Sequence, residues 1–468
     1  MTTSEVLNFG GNIRFEPRAQ YRPKNISQLL ETLDSEPHGT VRAVGSLHAW
    51  SPAAKTNDVS ISLEHLNEVT FSRDEYGVVI RAGGGCQIKR LINALAKKQL
   101  AMPSLGLISE QTIAGATSTA THGSGRHCLS EYLTAVHLAH YDPETNRATI
   151  TVVRDAEQLR AAKCGLGCLG IIVAVEIRPR ASYFIEEFMA VYEDLDGPLS
   201  MEKDYPLQQF YYLPWYGKYL GQHRRETSNP RSALATLYRL YWFAVIDIGL
   251  HLVITSLIQT LNSPKLAKKF MRFIAPFTLI RNWRVIDHSQ NMLIMEHELF
   301  RHIEIEMFVT RSDLAAAMEL TKELMDYFDT GEGLSERTLQ LCELLGHGDS
   351  MVRSKRVYTH HYPICIRRVL RDDMFISMSS GGDQDFYAIS FISYDKPHKR
   401  IGFQQFAETI ALLMHHQFQA RCHWGKYNPH DKAQIQSAFP SLSQFRAVCD
   451  DFDTQGRFRN EWVKELLF

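Results

Sequence analysis

Apolar residues at Ile26, Leu29, Leu30 and Leu33 fall on one face of a 3.6-residue period, and Asn25 and Gln28 are spaced as a capping box. Together they predict a helix near the start of the chain. Short β-rich runs follow, each bounded by turn residues: Val41 to Val44, the alternating Val59, Ile61 and Leu63, and Gly77 to Ala82. After Gly83, Gly84 and Gly85 the helical spacing returns at Ile88, Leu91, Ile92 and Leu95. A strand pair is expected around the turn Asp142-Pro143-Glu144-Thr145-Asn146, and a buried-strand run from Gly170 to Ile177 ends at Pro179. The first part of the chain therefore predicts an α+β domain.

From Tyr183 onward the texture changes to aromatic-rich strands and longer helices. Ile303 to Val309 reads as a strand and Leu314 to Tyr327 as an amphipathic helix, so a second domain starts here. The expected division is 1–182, 183–435, and a C-terminal segment 436–468 that packs back on the first domain. Leu240 to Ile254 is nearly all apolar, interrupted by Asp247 and His251, and is short for a bilayer span. A buried helix is the plainer reading. Lys265, Lys268, Lys269 and Arg272 follow it, and a peripheral contact with an anionic membrane surface is the other reading.

Composition narrows the function classes. With 468 residues, 44% of them hydrophobic, the chain can build two or three domains. Its 51 basic and 52 acidic residues leave no electrostatic footprint of a nucleic-acid binder, so the expected partner is a small molecule. The eight cysteines are scattered, and Cys164 and Cys168 lack CxxC spacing, so neither a metal site nor a disulfide framework is expected. Met1 to Arg14 has no basic start followed by an apolar core, which favours a reducing, cytoplasmic setting.

Two stretches carry candidate chemistry. Arg42 to Pro52 reads RAVGSLHAWSP, a strand running into a turn of small and hydroxylated residues whose backbone N–H groups suit an anion. It matches neither the GxGxxG nor the P-loop pattern. Ser104 to Gly125 is dense in Ser, Thr and Gly, a poor recipe for a packed core and a good one for backbone wrapped round a flat polar cofactor.

Those two stretches and the downstream Arg421-Cys422-His423-Trp424-Gly425-Lys426 together resemble the aldonolactone oxidases. These are the gulonolactone and arabinonolactone oxidases, related to alditol oxidase among the vanillyl-alcohol-oxidase, PCMH-type flavoproteins. The resemblance runs from about Asn8 to the C-terminus. It implies an FAD domain of two α+β subdomains, and a cap domain whose antiparallel sheet, flanked by helices, covers the flavin. It also implies oxidation of a CH–OH carbon of a sugar lactone, sugar or polyol, with hydride passing to flavin N5 and oxygen or another acceptor reoxidising the flavin.

The resemblance further implies which residues meet FAD. Val44, Gly45, Ser46, Leu47, His48 and Ala49 form the first loop, and in relatives the histidine at position 48 is often bonded to the flavin. Leu47 and Ala49 stand where the pattern usually has Gly and Ser. Ser109, Ile113, Ala114, Gly115, Ser118, Thr119, Thr121, His122 and Gly123 come from the second stretch, and Gly170 and Ile172 meet the adenine side. Ala120 stands where oxidase relatives commonly have Gly, a hint toward a dehydrogenase. Lys426 is expected to stabilise charge developing near flavin N1 and O2, with His423 orienting the loop or substrate.

The main departure lies at Tyr362-Pro363-Ile364-Cys365-Ile366-Arg367, where relatives have Glu-x-Arg on one strand. Arg367 is kept and Cys365 replaces the Glu. A thiol, titrating near ~8.5, is a poor base unless Arg367 lowers it. Glu306 on the 303–309 strand, and His361, assigned the strand parity of Cys365 and Arg367 and so preferred to His360, are the other candidates for handling the hydroxyl proton. The rival readings are a flavoenzyme of specialised metabolism acting on an amino- or carbohydrate-bearing intermediate, and an FAD-binding protein without turnover.

Overall fold

The computed structural model describes residues 5–295 and 300–468, so residues 1–4 of the N-terminal stretch read above lie outside it. The first helix spans Ile26–Ser35 and buries Leu29 and Leu33. Its capping box forms only in part. Asn25 accepts from the Gln28 backbone at 2.9 Å, but the Gln28 side chain caps the Lys24 N–H at 2.9 Å instead of that of Asn25.

Two small sheets build the first domain. Ala19–Tyr21, Val59–Ser62 and Val41–Val44 run parallel, and β-rich residues with short connections through helix and turn explain the pairing. The other sheet has five antiparallel strands in the order Ala148–Val153, Leu133–Tyr141, Ile171–Ile177, Gly77–Gly83 and Val69–Asp74. The turn at 142–146 closes its first hairpin. Helix Ile88–Ala96 turns Ile88, Leu91, Ile92 and Leu95 into the core, as the spacing predicts.

The second domain is one antiparallel sheet of eight strands. Its order is Val285–His288, Phe184–Tyr192, Lys218–Thr227, Gln209–Leu213, Ile364–Val369, Phe386–Ser393, Ile303–Thr310 and Arg421–Cys422. Period-2 alternation divides its two faces. Ile303, Ile305, Met307, Val309, Ile364, Ile366, Tyr387, Ile389 and Phe391 pack with helices Leu314–Thr330 and Ile401–Phe418 in one apolar core. The opposite parity carries Glu304, Glu306, Cys365, Arg367 and Ser390, and its apolar members Phe308, Ala388 and Val369 join the core of the first domain. The sheet thus presents its polar face to the first domain.

The C-terminal helices Leu442–Phe452 and Glu461–Leu467 bury their apolar sides in the core of the first domain. Arg42 ties the two together from inside: its guanidinium donates to the carbonyls of Phe458, Ala53, Leu166 and Gly167.

One expectation is overturned. The apolar stretch at 240–254 is not a buried helix but part of a continuous helix, Ala235–Thr260, most of whose surface faces outward. It meets the protein through Ala235 and Tyr238 at its start and through His251, Ile254 and Ile258 further on, and among the described residues no second layer lies over the rest.

Candidate active site

A cavity opens between the two domains, and its wall combines the two stretches singled out in the sequence with the polar face of the large sheet. Val44 to Ala49, Ala114, Gly115, Ser118, Thr119, Thr121, His122, Gly170 and Ile172 line it from the first domain. Glu304, Glu306, Arg367, His423 and Lys426 line it from the second. Three expected cofactor residues stand behind this wall. Ile113 is core, Ser109 is buried with its hydroxyl 3.4 Å from the Met295 carbonyl, and any side chain at Gly123 would strike the Leu105 carbonyl.

The first loop fits a diphosphate-bearing cofactor. It lines the cavity, and the backbone N–H groups of Gly45, Ser46, Leu47 and Ala49 have no acceptor in the protein among the described residues. Donors left together in this way are available to phosphate oxygens. Leu47 adopts φ +56°, the left-handed region, which explains on backbone grounds why glycine is usual there. Ala120 has φ +52° and is fully buried without lining the cavity, so the same reason applies to it.

Strand register assembles the polar face. Glu306 stands opposite Ser390, and Ser390 opposite Cys365, giving one row across three strands, with Arg367 in the next row beside Gln209. Glu306 accepts from the Ser390 hydroxyl at 2.7 Å and lies 3.7 Å from the Arg367 guanidinium and 3.5 Å from His122 Nε2. Arg367 Nε also donates to Gln209 Oε1 at 3.1 Å. Burial would push the Glu306 carboxyl up, but His122 and then Lys426 outweigh it and hold it well below the usual carboxylate range.

Lys426 is engaged as well. Its ammonium lies 2.5 Å from Glu304 and 4.5 Å from the centre of the Trp50 ring. Against the cost of burial, Lys426 and His302 bring the Glu304 carboxyl down to about 2. Burial lowers His423 to about 3, so it is neutral near pH 7. Its Nδ1 accepts from the Gly425 N–H at 2.9 Å, which leaves the ring proton on Nε2. His122, Glu306 and His423 bring ligand-type atoms within 4.8 Å of one another, but Arg367 and Lys426 beside them already supply the positive charge a metal ion would bring.

Two expected catalytic residues are corrected. Cys365 is buried in its row and does not line the cavity, and burial raises its thiol even against Arg367, so it stays neutral and is no base. Replacing it with Ala is expected to change kcat less than about threefold, because nothing on the reacting side is removed; a steady-state comparison checks this. His361 is also displaced. Pro363 breaks the strand before Ile364, so parity does not extend back to it, and both of its ring nitrogens are used, by the Thr359 carbonyl and the Tyr394 N–H at 3.0 Å each.

The sequence reading missed Glu304, Asp247 and His251 as cavity residues. Glu304 was within reach of it, two positions from Glu306 and hence on the same face. Asp247 and His251 had been noted only as interruptions of an apolar run.

The sequence model of D-arabinono-1,4-lactone oxidase matches residues 182–466, and that of an FAD binding domain matches residues 17–145. A protein named long-chain alcohol oxidase, from an uncultured marine euryarchaeote, is 46% identical over 98% of this chain and 96% of its own. The L-gulonolactone oxidase of Bos taurus is 23% identical over 97% of this chain and 96% of its own. Among solved structures, the cholesterol oxidase of Brevibacterium sterolicum superposes with a TM-score of 0.73 at 14% identity, covering 100% of this chain and 97% of its own, a likeness of fold.

Proposed function

The chain belongs to the D-arabinono-1,4-lactone oxidase family and is an FAD-dependent oxidoreductase acting on CH–OH donors, and from that premise we propose how its residues act and on what. The observation that carries the reading is the gathering of Glu306, Arg367, His122 and Lys426 in the cavity that the phosphate-ready loop also lines. FAD, when bound, supplies the hydride acceptor. The chain's own residues handle the hydroxyl proton and the developing charge.

Arg367, held by Gln209 and Glu306, is placed to donate to the substrate oxygen and fix its orientation. His122 Nδ1 is 2.9 Å from the Gly123 carbonyl and donates to it, so Nε2 takes up a proton only as the ring becomes a cation. Glu306 at 3.5 Å stabilises that cation. The pair therefore forms the proton acceptor, with Glu306, two strands across in the same row, in place of the carboxylate lost at position 365. Lys426 keeps a positive charge at the cavity, oriented by Glu304.

In the family the oxidised carbon belongs to a sugar lactone. One observation favours an apolar alcohol here. Leu107, Ile108, Met295, Phe300, Tyr362, Ile392 and Tyr394 also line the cavity, with Asp247, His251 and His302 as the polar groups among them, a lining with enough apolar surface to suit a hydroxyl on an apolar body. The relative named long-chain alcohol oxidase points the same way. Anaerobic addition of L-gulono-1,4-lactone, xylitol and a series of 1-alkanols, read as loss of visible flavin absorbance, tests both classes. Bleaching by none of them would end the reading.

His48 lines the cavity and packs against Phe9, with ring centres 5.2 Å apart. We propose it as the site of flavin attachment. Acid precipitation should leave yellow colour in the pellet of the wild type and release it in His48→Ala; release from both would show that FAD is held without a covalent bond.

A further inference from the structure

The helical segment from Leu234 to Ile280 concentrates exposed apolar surface. Of the twenty large hydrophobic side chains exposed among the described residues, twelve lie in it, with Phe273 60% and Phe277 76% accessible. Scattered apolar side chains are normal on a surface, but a cluster of this kind marks something that covers it. Charge says what. From Ile248 to Arg284 the sequence has no acidic residue, while Lys265, Lys269, Arg272 and Arg281 are exposed beside the apolar patch.

Helix Ala235–Thr260 is, among the described residues, the one helix long and apolar enough to cross a membrane, but its inner face is committed to the protein. The Gln259 side chain donates to the Tyr394 carbonyl at 2.8 Å, His251 Nε2 and the Tyr362 hydroxyl are 2.9 Å apart, and Ile254 and Ile258 are core. A helix held along one side lies in a bilayer surface and does not span it. The following helix, Pro264–Phe273, buries Ala267 and Met271 and turns Leu266, Lys265, Lys269, Arg272 and Phe273 outward. That is the mixed apolar and basic surface suited to acidic lipid.

Helix Ala235–Thr260 also reaches the active site, because its Asp247 and His251 line the cavity. We infer that the 234–280 segment docks the protein on an acidic lipid bilayer and admits alcohols dissolved in that bilayer to the cavity past Asp247 and His251. This rests on the apolar-alcohol reading for its substrate, while the docking itself rests on the exposed surface alone.

The test uses the FAD-loaded full chain in flotation with vesicles of phosphatidylcholine, with and without phosphatidylglycerol. The protein should float with the acidic vesicles, and high salt should weaken that binding. Phe273→Ser/Phe277→Ser and Lys265→Glu/Lys269→Glu should each cut the bound fraction at least about tenfold while melting as the wild type does. Oxidation of a long-chain alcohol carried in acidic vesicles should fall in step, with oxidation of a short water-soluble alcohol unchanged in both variants. No flotation, flotation that both pairs leave intact, or a light-scattering mass showing that the patch is instead buried between two copies of the chain would each overturn the proposal. Flotation as expected without flavin bleaching by any alcohol would sustain the docking surface and defeat the substrate reading, so the two failures are distinguishable.

Discussion

Glu306→Gln is expected to lower kcat by about 10²- to 10³-fold, the range for loss of a positioned proton acceptor. Gln keeps the shape and accepts from Ser390, yet it cannot stabilise a His122 cation 3.5 Å away or offset Arg367. Because Glu306 belongs to the large sheet of the second domain and the phosphate-ready loop to the first, FAD content should be unchanged. The loss should appear in the rate of anaerobic flavin reduction and should lessen as pH rises, since at high pH more of the substrate reacts without help from the base. A variant within about threefold of wild type at pH 7 would remove Glu306 from the mechanism.

Arg42→Leu is expected to destabilise the holoprotein by roughly 3–5 kcal/mol, because leaving buried carbonyls without a donor costs more than is regained by no longer burying the cation. Burial lowers the Arg42 pKa, yet its guanidinium serves Ala53, Leu166, Gly167 and Phe458 at once, joining the first loop region, the turn before strand Ile171–Ile177 and the C-terminal segment. Weaker FAD retention through desalting should accompany the lower melting temperature, since Arg42 also lines the cavity. Arg42→Lys should recover part of the loss, as an ammonium can serve some but not all of the four carbonyls. An unshifted melting curve for the Leu variant would show that the segment is held by its apolar packing alone.

Element types were legible where a single period dominates. The face Ile88, Leu91, Ile92, Leu95 could be read directly because it buries one side, and the strand Ile303–Thr310 because acidic and apolar residues alternate at its start, although both of its faces are buried. The helix Ala235–Thr260 could not, since an apolar run looks the same whether another layer covers it or not. His361 was misplaced for a related reason: parity counts positions along a strand, and the strand begins only after Pro363.

By itself the sequence determined the two-domain α+β plan and the presence of Arg367 and Lys426, and its resemblance to the aldonolactone oxidases supplied the FAD chemistry. Local pattern and motif suffice for those, because they depend on residues near one another in the chain. Only the tertiary structure decided which acid shares a row with position 365 and meets His122. Antiparallel register sets Glu306 and Cys365 in one row through Ser390, and domain packing brings His122 from far earlier in the chain to 3.5 Å from that carboxylate. Such a meeting depends on strand pairing between distant segments, which no local period encodes.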